Sequence, residues 1–427
     1  MIQIILTLIL TLSAWASSSD SLFQQISKHT FRVKTALSPD AAKASYGTGF
    51  VVDAKKGRLI TNYHVVSSVI QKKDGGYKNY VMVDEVPLEA KVLAVDLIHD
   101  LALVEVAHIF PGQIEIRKDE PKQGEKIFSF GIPKDLNLTI VDGLFNGFIK
   151  IGPFNTIQMS TPINSGMSGG PTTDALGRLV GVNVAGMLFS DNITFAVPAK
   201  FVQELLSVGD ALPLPMNDFK KLHLELEKQL LKAQQKIIDD FKQSQESTDI
   251  GQWHIPSSSK LLKCWMATQN DRIKLNARKI KEISKNCRME HEVYLDDLHR
   301  TIIFDFRALA VENVSLNRFQ FSQYVDTNFN HSSMKKTDEV MAKERENVQT
   351  VFQCENLKLA NKHKVNFLVG FCMRGYYRYP NIVESFLKIA VLDLKAKSTL
   401  ILGLTIDGFT KENTKLLMKE FIENVHQ

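Results

Sequence analysis

Residues 163–171 read Ile-Asn-Ser-Gly-Met-Ser-Gly-Gly-Pro, and the inner run Gly166-Met167-Ser168-Gly169-Gly170-Pro171 decides how the rest of the chain is read. A serine held between glycines on a tight turn meets the geometric needs of a nucleophilic hydroxyl. Glycine lets the backbone fold closely without a Cβ clash. The amides of Gly166 and Ser168 can then converge on one point, where negative charge would develop on a bound carbonyl oxygen. A serine hydroxyl is a poor nucleophile alone. It needs a neighbouring base, and the base needs an orienting carboxylate.

Both partners stand upstream. Residues 47–66 read GTGFVVDAKKGRLITNYHVV, placing His64 after a β-like stretch over 58–61 and before Val65-Val66. Residues 99–106 read HDLALVEV, placing Asp100 ahead of an apolar strand. His99 beside it reads as a surface residue. The chain order His64, Asp100, Ser168 is the order of the chymotrypsin-type double barrel, where one barrel carries His and Asp and the other Ser. A lipase-type arrangement fits poorly, because there the histidine comes last.

TNYHVV, HDLALVEV and INSGMSGGP resemble the three catalytic blocks of the trypsin-like HtrA/Do family of bacterial serine endopeptidases. GRLVGVNVAG followed by ITFAVPAK resembles that family's strands after the nucleophile. The likeness covers about residues 22–205. It implies a serine endopeptidase working by acyl transfer, with His64, Asp100 and Ser168 catalytic and the Gly166-Met167-Ser168 turn forming the oxyanion hole. It also implies polypeptide substrates, in envelope quality control or regulated proteolysis, and a homo-oligomer joined through Leu22, Phe23 and Phe31. Met167 departs from the family, which has a polar residue there. Methionine cannot pair with a freed N-terminus as the aspartate of activatable relatives does, and a loop lacking that polar side chain is a candidate for switching by substrate or partner.

The specificity pocket is expected from Thr161, Pro162 and Ile163 on one wall, and Asn183, Val184 and Ala185 on the other. Nothing acidic lies over 160–167, so a pocket for Lys or Arg lacks its counter-charge. No cation stands over 182–184 to receive an acidic side chain. A small apolar pocket remains, suited to small or medium apolar residues.

Residues 2–12, IQIILTLILTL, form an apolar run too short to span a bilayer. Ending at Ala14-Trp15-Ala16, the run reads as a signal peptide over 1–16, which points to the periplasm or extracellular space. The alternative is an N-terminal core helix. No cysteine lies near residue 16 and no other segment is long and apolar enough for a membrane anchor. The four cysteines, Cys264, Cys287, Cys354 and Cys372, all lie in the second half. In an oxidising compartment they suggest two disulfides, with three pairings open. Sequence neighbours favour 264 with 287 and 354 with 372. No C-x-x-C pair or His/Cys cluster has metal-ligand spacing, so no metal or organic cofactor is expected.

With 427 residues, 44% hydrophobic and 23% charged, the chain has ordinary globular composition for two or three domains. Residues 1–208 balance 19 Lys+Arg against 19 Asp+Glu, so the net +5 arises wholly in the remainder, 33 against 28. That excess reads as a solvated face rather than a nucleic-acid or membrane patch.

The expected architecture is a mainly β protease domain over 20–208, a chymotrypsin-like double β-barrel, then a linker and long amphipathic helix over 209–247 and an α+β domain over 250–427. The linker is proline-punctuated, and Phe219, Leu222, Leu226, Leu230, Ala233, Ile237 and Phe241 form one apolar stripe. A packing helix explains that stripe; a coiled coil with a second protomer is the alternative. Residues 261–284 read as a basic helix. Strands are expected over 301–306, 365–372 and 386–407, with a closing helix over 410–425. The glycine-led loop of the PDZ modules that usually follow an HtrA-type barrel is absent from the sequence. The second class of function is a catalytically silent protease-fold scaffold whose C-terminal domain does the work.

Overall fold

The computed structural model describes residues 20–427 outside 72–75, 135, 152–153, 185–192, 245, 270–279, 290, 292, 296–298, 314–315, 332–348 and 394–397. The 1–16 leader expectation and Ala185 lie outside the described residues. Two compact units are present: 1–150 with Asn155–Leu222 and Val293–Arg300, and Ile151–Phe154 with His223–Glu292 and Thr301–Gln427.

The first unit is a double β-barrel. Strands β1 (Thr30–Ala36), β2 (Ala44–Asp53), β3 (Arg58–Asn62), β4 (Lys78–Val83), β5 (Val86–Asp96) and β6 (Leu101–Val106) close in the order 1-2-3-6-5-4. A second barrel closes from β7 (Lys126–Gly131), β8 (Thr139–Ile151), β9 (Phe154–Met159), β10 (Pro171–Thr173), β11 (Leu179–Val184) and β12 (Thr194–Pro198) in the order 10-11-12-9-8-7. Closure removes the sheet edges. Between the barrels lies a shared apolar core: Phe50, Ile60, Leu101 and Leu103 meet Phe128, Phe130, Leu179 and Val182. Leu22 and Ile26, from the helical turn over 20–27, are buried in the same core, with Phe23 packed against it. The Phe31 ring lies 5.1 Å from that of Phe110, tilted by 41°. The residues expected to join protomers are thus engaged within the chain.

Helix α1 (Tyr63–Gln71) follows β3 without a loop, and α2 (Ala199–Ala211) packs Val202 and Leu205 on the shared core. In α3 (Phe219–Ser244) the whole apolar stripe from Leu222 to Phe241 is buried within the chain, which is the packing-helix alternative.

The second unit is built on a seven-stranded antiparallel sheet. Its strands are β13 (Lys263–Gln269), β14 (Ile280–Arg288), β15 (Ile303–Asn313), β16 (Gln353–Ala360), β17 (Asn366–Gly375), β18 (Ile382–Asp393) and β19 (Ser398–Thr410), ordered 13-14-15-19-18-17-16. Strand alternation separates two faces. Leu309, Val311 and Ile401 bury one face under α4 (Arg318–His331). Phe304 meets Phe241 of α3 and Phe306 meets Phe421 of α5 (Lys411–Glu423) on the other. The helix expected over 261–284 is corrected: Lys263–Gln269 and Ile280–Arg288 are strands, because Cys264 sits directly opposite Cys287 and their disulfide ties the two strands. The second bridge, Cys354–Cys372, likewise links directly opposed residues of β16 and β17.

Candidate active site

Asp100 occupies the turn before β6 with φ +53°, a left-handed conformation aspartate tolerates better than most side chains. That strained position is held from outside. The Asp100 carbonyl accepts from the Asn62 side-chain amide at 2.8 Å and from the Tyr63 amide at 3.0 Å. Its carboxylate then faces the first turn of α1. Oδ1 accepts the His64 amide at 2.9 Å and Oδ2 accepts His64 Nδ1 at 2.6 Å. A carboxylate can only accept, so the proton sits on Nδ1 and Nε2 is left as the basic nitrogen. Asp100 is 5% exposed.

A second His–Asp pair lies next to the first in sequence. His99 Nδ1 bonds Asp96 Oδ2 at 2.6 Å, and its ring stacks on Phe201 at 3.5 Å. His99 is therefore a fixed packing residue rather than a loose surface one. The bonds from His99 hold the Asp96 carboxyl below its usual range, against the upward push of burial.

The serine turn is fastened to both barrels. Gly166 and Gly169 have φ +95° and +83°. A Cβ on Gly169 would meet the Thr48 carbonyl at 2.3 Å and Thr61 Oγ1 at 2.4 Å; only glycine fits. From the first barrel, the Thr48 amide donates to the Ser168 carbonyl and its hydroxyl to the Gly166 carbonyl, each at 2.8 Å. From the second, the Gly169 amide donates to the Asn183 carbonyl at 3.0 Å and the Asn183 amide to the Gly170 carbonyl at 2.8 Å.

Met167 is fully buried over Gly131. Its amide donates to the Asn164 carbonyl at 3.0 Å, while the Asn164 amide lies 3.5 Å from its sulfur. The methionine thus still braces the turn where a polar side chain was expected. The Met167 amide is therefore engaged within the turn. Among the described residues no protein acceptor takes the Gly166 amide.

His64, Gly166 and Ser168 line one cavity of about 630 Å³. Thr35, Lys43, Tyr46, Tyr77, Lys134, Ile163 and Asn164 complete much of its wall. Of the described residues expected at the specificity pocket, Ile163 alone lines it. Thr161 is fully buried, its hydroxyl 3.2 Å from that of Thr194. Asn183 is fully buried too: its amide donates to the Phe130 carbonyl and its oxygen accepts from Thr172 Oγ1 at 2.6 Å. Pro162 is exposed and Val184 half-buried, neither at this cavity. Lys43, Tyr46 and Lys134 carried no local sequence signal. Among the described residues no group of three His, Cys, Asp or Glu is placed to hold a metal ion.

Residues 47–182 match the model of the trypsin-like peptidase domain family. The probable periplasmic serine endoprotease, DegP-like, of Rhizobium meliloti is 31% identical over 171 residues, 38% of this chain and 32% of that protein. The serine protease Do-like HtrA of Bacillus subtilis is 28% identical over 210 residues, 44% of this chain and 45% of that protein. This chain therefore spans less than half the length of these relatives. Among solved structures, the active form of the Rv3671c protease of M. tuberculosis is 24% identical with a TM-score of 0.39, over 45% of this chain and 85% of that one. Residues 47–182 are thus similar to the trypsin-like peptidase domain, and the N-terminal half to HtrA/DegP-like serine proteases.

Proposed function

We propose that the protein is a serine endopeptidase that hydrolyses peptide bonds through His64, Asp100 and Ser168. The observation that carries this reading is the 2.6 Å bond from buried Asp100 to His64, which shares one cavity with Ser168 on its glycine turn. His64 Nε2 takes the Ser168 Oγ proton as Oγ attacks the substrate carbonyl carbon. Asp100 orients the imidazole and stabilises its charged form. The amides of Gly166 and Ser168 receive the negative oxygen. The imidazolium then protonates the departing amine; water, deprotonated by His64, attacks the acyl carbon, and the imidazolium returns that proton to Ser168 Oγ as the carboxylic acid leaves.

Cleavage after small or medium apolar residues follows from the sequence around 160–167, of which Ile163 contributes an apolar side chain to the cavity wall. Polypeptide substrates follow from the reaction, and periplasmic relatives together with two disulfides support an oxidising envelope or extracellular compartment. The test is casein and unfolded-protein cleavage by the full chain beside Ser168→Ala, with a fluorophosphonate probe. Cleavage and labelling that disappear together in the alanine variant support the reading. A wild-type chain that neither cleaves nor labels returns the scaffold alternative.

A further inference from the structure

Residues Val293–Arg300 come more than a hundred positions after Ser168 yet belong to the barrel unit. Val293–Tyr294 and Arg300–Thr301 pair as a two-stranded sheet, and the Leu295 amide donates to the His299 carbonyl at 2.8 Å. Two aliphatic side chains root this hairpin: Val293 is 0% and Leu295 1% exposed. A polar anchor adds to them. The fully buried Tyr63 hydroxyl donates to the Leu295 carbonyl at 2.6 Å, and the same oxygen accepts Gln71 Nε2 at 2.8 Å. Tyr63 immediately precedes the catalytic-pair histidine, so the anchor and His64 are consecutive residues of one helix.

Successive strand residues point to opposite sides. With Val293 and Leu295 rooted inward, Tyr294 is turned the other way, and its ring lies 5.3 Å from the His64 imidazole at 42°. The Arg300 guanidinium sits 5.7 Å from the same ring. Tyr294 keeps part of its surface exposed. It does not line the cavity holding Lys43 and Lys134, and so meets the imidazole from outside that cavity. The His64 imidazole therefore has a partly exposed aromatic ring fixed beside it.

We propose that Tyr294 is a substrate-contacting residue of the cleft, its ring receiving an apolar side chain next to the scissile residue. The proposal rests on the endopeptidase reading above. A tyrosine ring offers a broad apolar face with little rotamer entropy to lose. One apolar contact of this kind discriminates by about 10-fold or more between side chains that fill it and those that do not.

The experiment uses the full chain and two peptides differing only at the residue preceding the scissile one, Leu against Ser. Wild type is expected to favour the Leu peptide in kcat/KM by about 10-fold. Tyr294→Ala should bring that ratio near one by raising KM for the Leu peptide, while fluorophosphonate still labels Ser168. Tyr294→Phe should keep the preference, since the ring and not the hydroxyl makes the contact. Tyr294→Gln serves the same comparison if the alanine variant fails to fold. An unchanged ratio in the Ala and Gln variants overturns the proposal, as does an equal loss on both peptides accompanied by lost labelling. A wild-type chain that neither cleaves nor labels removes the endopeptidase reading itself, and the proposal with it.

Discussion

Thr48 is the most economical place to test whether the first barrel holds the serine turn in shape. The residue is fully buried. Its hydroxyl donates to the Gly166 carbonyl at 2.8 Å and accepts the Ile132 amide at 2.8 Å. Thr48→Val keeps the volume and removes only the oxygen, which strands the buried Gly166 carbonyl and the half-buried Ile132 amide. Each unpaired group costs about 1–3 kcal/mol, so the variant should lose about 2–4 kcal/mol after partial relaxation. In a unit of this size each kcal/mol moves Tm by about 2–4 °C, giving a fall of about 4–16 °C. Gly166, freed at its carbonyl, should also aim its amide less well. Outright removal of an oxyanion donor costs about 10²–10³ in kcat, and a loosened donor should cost about 10- to 100-fold. Thermal unfolding and peptide kinetics on Thr48→Val and Thr48→Ser give the answer. The serine variant keeps both bonds, should lose only about 1 kcal/mol for the methyl, and should remain active. A Thr48→Val protein that melts within 2 °C of wild type and turns over within about 2-fold refutes the reasoning. So does a serine variant as damaged as the valine one, which would assign the effect to packing.

Asp100→Asn should leave the fold intact and lower kcat by about 10⁴-fold, because an amide no longer fixes the Nδ1–H tautomer of His64; a fall of less than 10-fold would deny Asp100 its orienting role. In the second unit, burial and the nearby Glu384 charge push the Asp407 carboxyl well above the usual carboxylate range, with Tyr376 Oη donating to it at 2.6 Å. The folded state therefore keeps a proton that the unfolded chain releases above about pH 4. Its stabilisation is complete below that pH and declines as pH rises towards the folded value, at up to about 1.4 kcal/mol per unit. Urea unfolding between pH 4 and 8 should show a shallower slope for Asp407→Asn; identical slopes would contradict this. Reducing both disulfides, which close separations of 23 and 18 residues, should destabilise the second unit by about 3 kcal/mol each, and unchanged denaturant midpoints under reductant would count against it.

The catalytic triad candidates were legible because each sits in a locally determined context. Ser168 needs Gly166 and Gly169 within three positions, and Asp100 precedes its apolar strand directly. The cavity wall was not legible. Lys43 and Lys134 reach the site only after two barrels close and bring the β1–β2 and β7–β8 connections together, a non-local event without a local pattern. Tyr294 is the extreme case, since no periodicity links residue 294 to residue 64. The misread over 261–284 has a different cause. Short apolar spacings such as Ile280 and Ile283 fit a helix and a strand alike, and the cross-strand pairing of Cys264 with Cys287 is what decides.

Asn183 shows why pocket residues were misjudged by position alone. As a polar residue on the strand after the nucleophile, it reads as cleft lining. Within the barrel it is instead a bracket: its carbonyl takes the Gly169 amide, its own amide reaches the Gly170 carbonyl, and its side chain joins the Phe130 carbonyl to Thr172 Oγ1. A buried amide so fully bonded cannot be replaced by valine without stranding several groups. The second barrel thus grips the turn on the C-terminal side of Ser168 while Thr48 of the first grips its Gly166 and Ser168 carbonyls. Neither bracket touches the reacting atoms, and each acts by denying the glycines the freedom their sequence would otherwise give them. A glycine-rich turn is needed to bring the serine and two amides so close, and its flexibility is useful only because both barrels remove it.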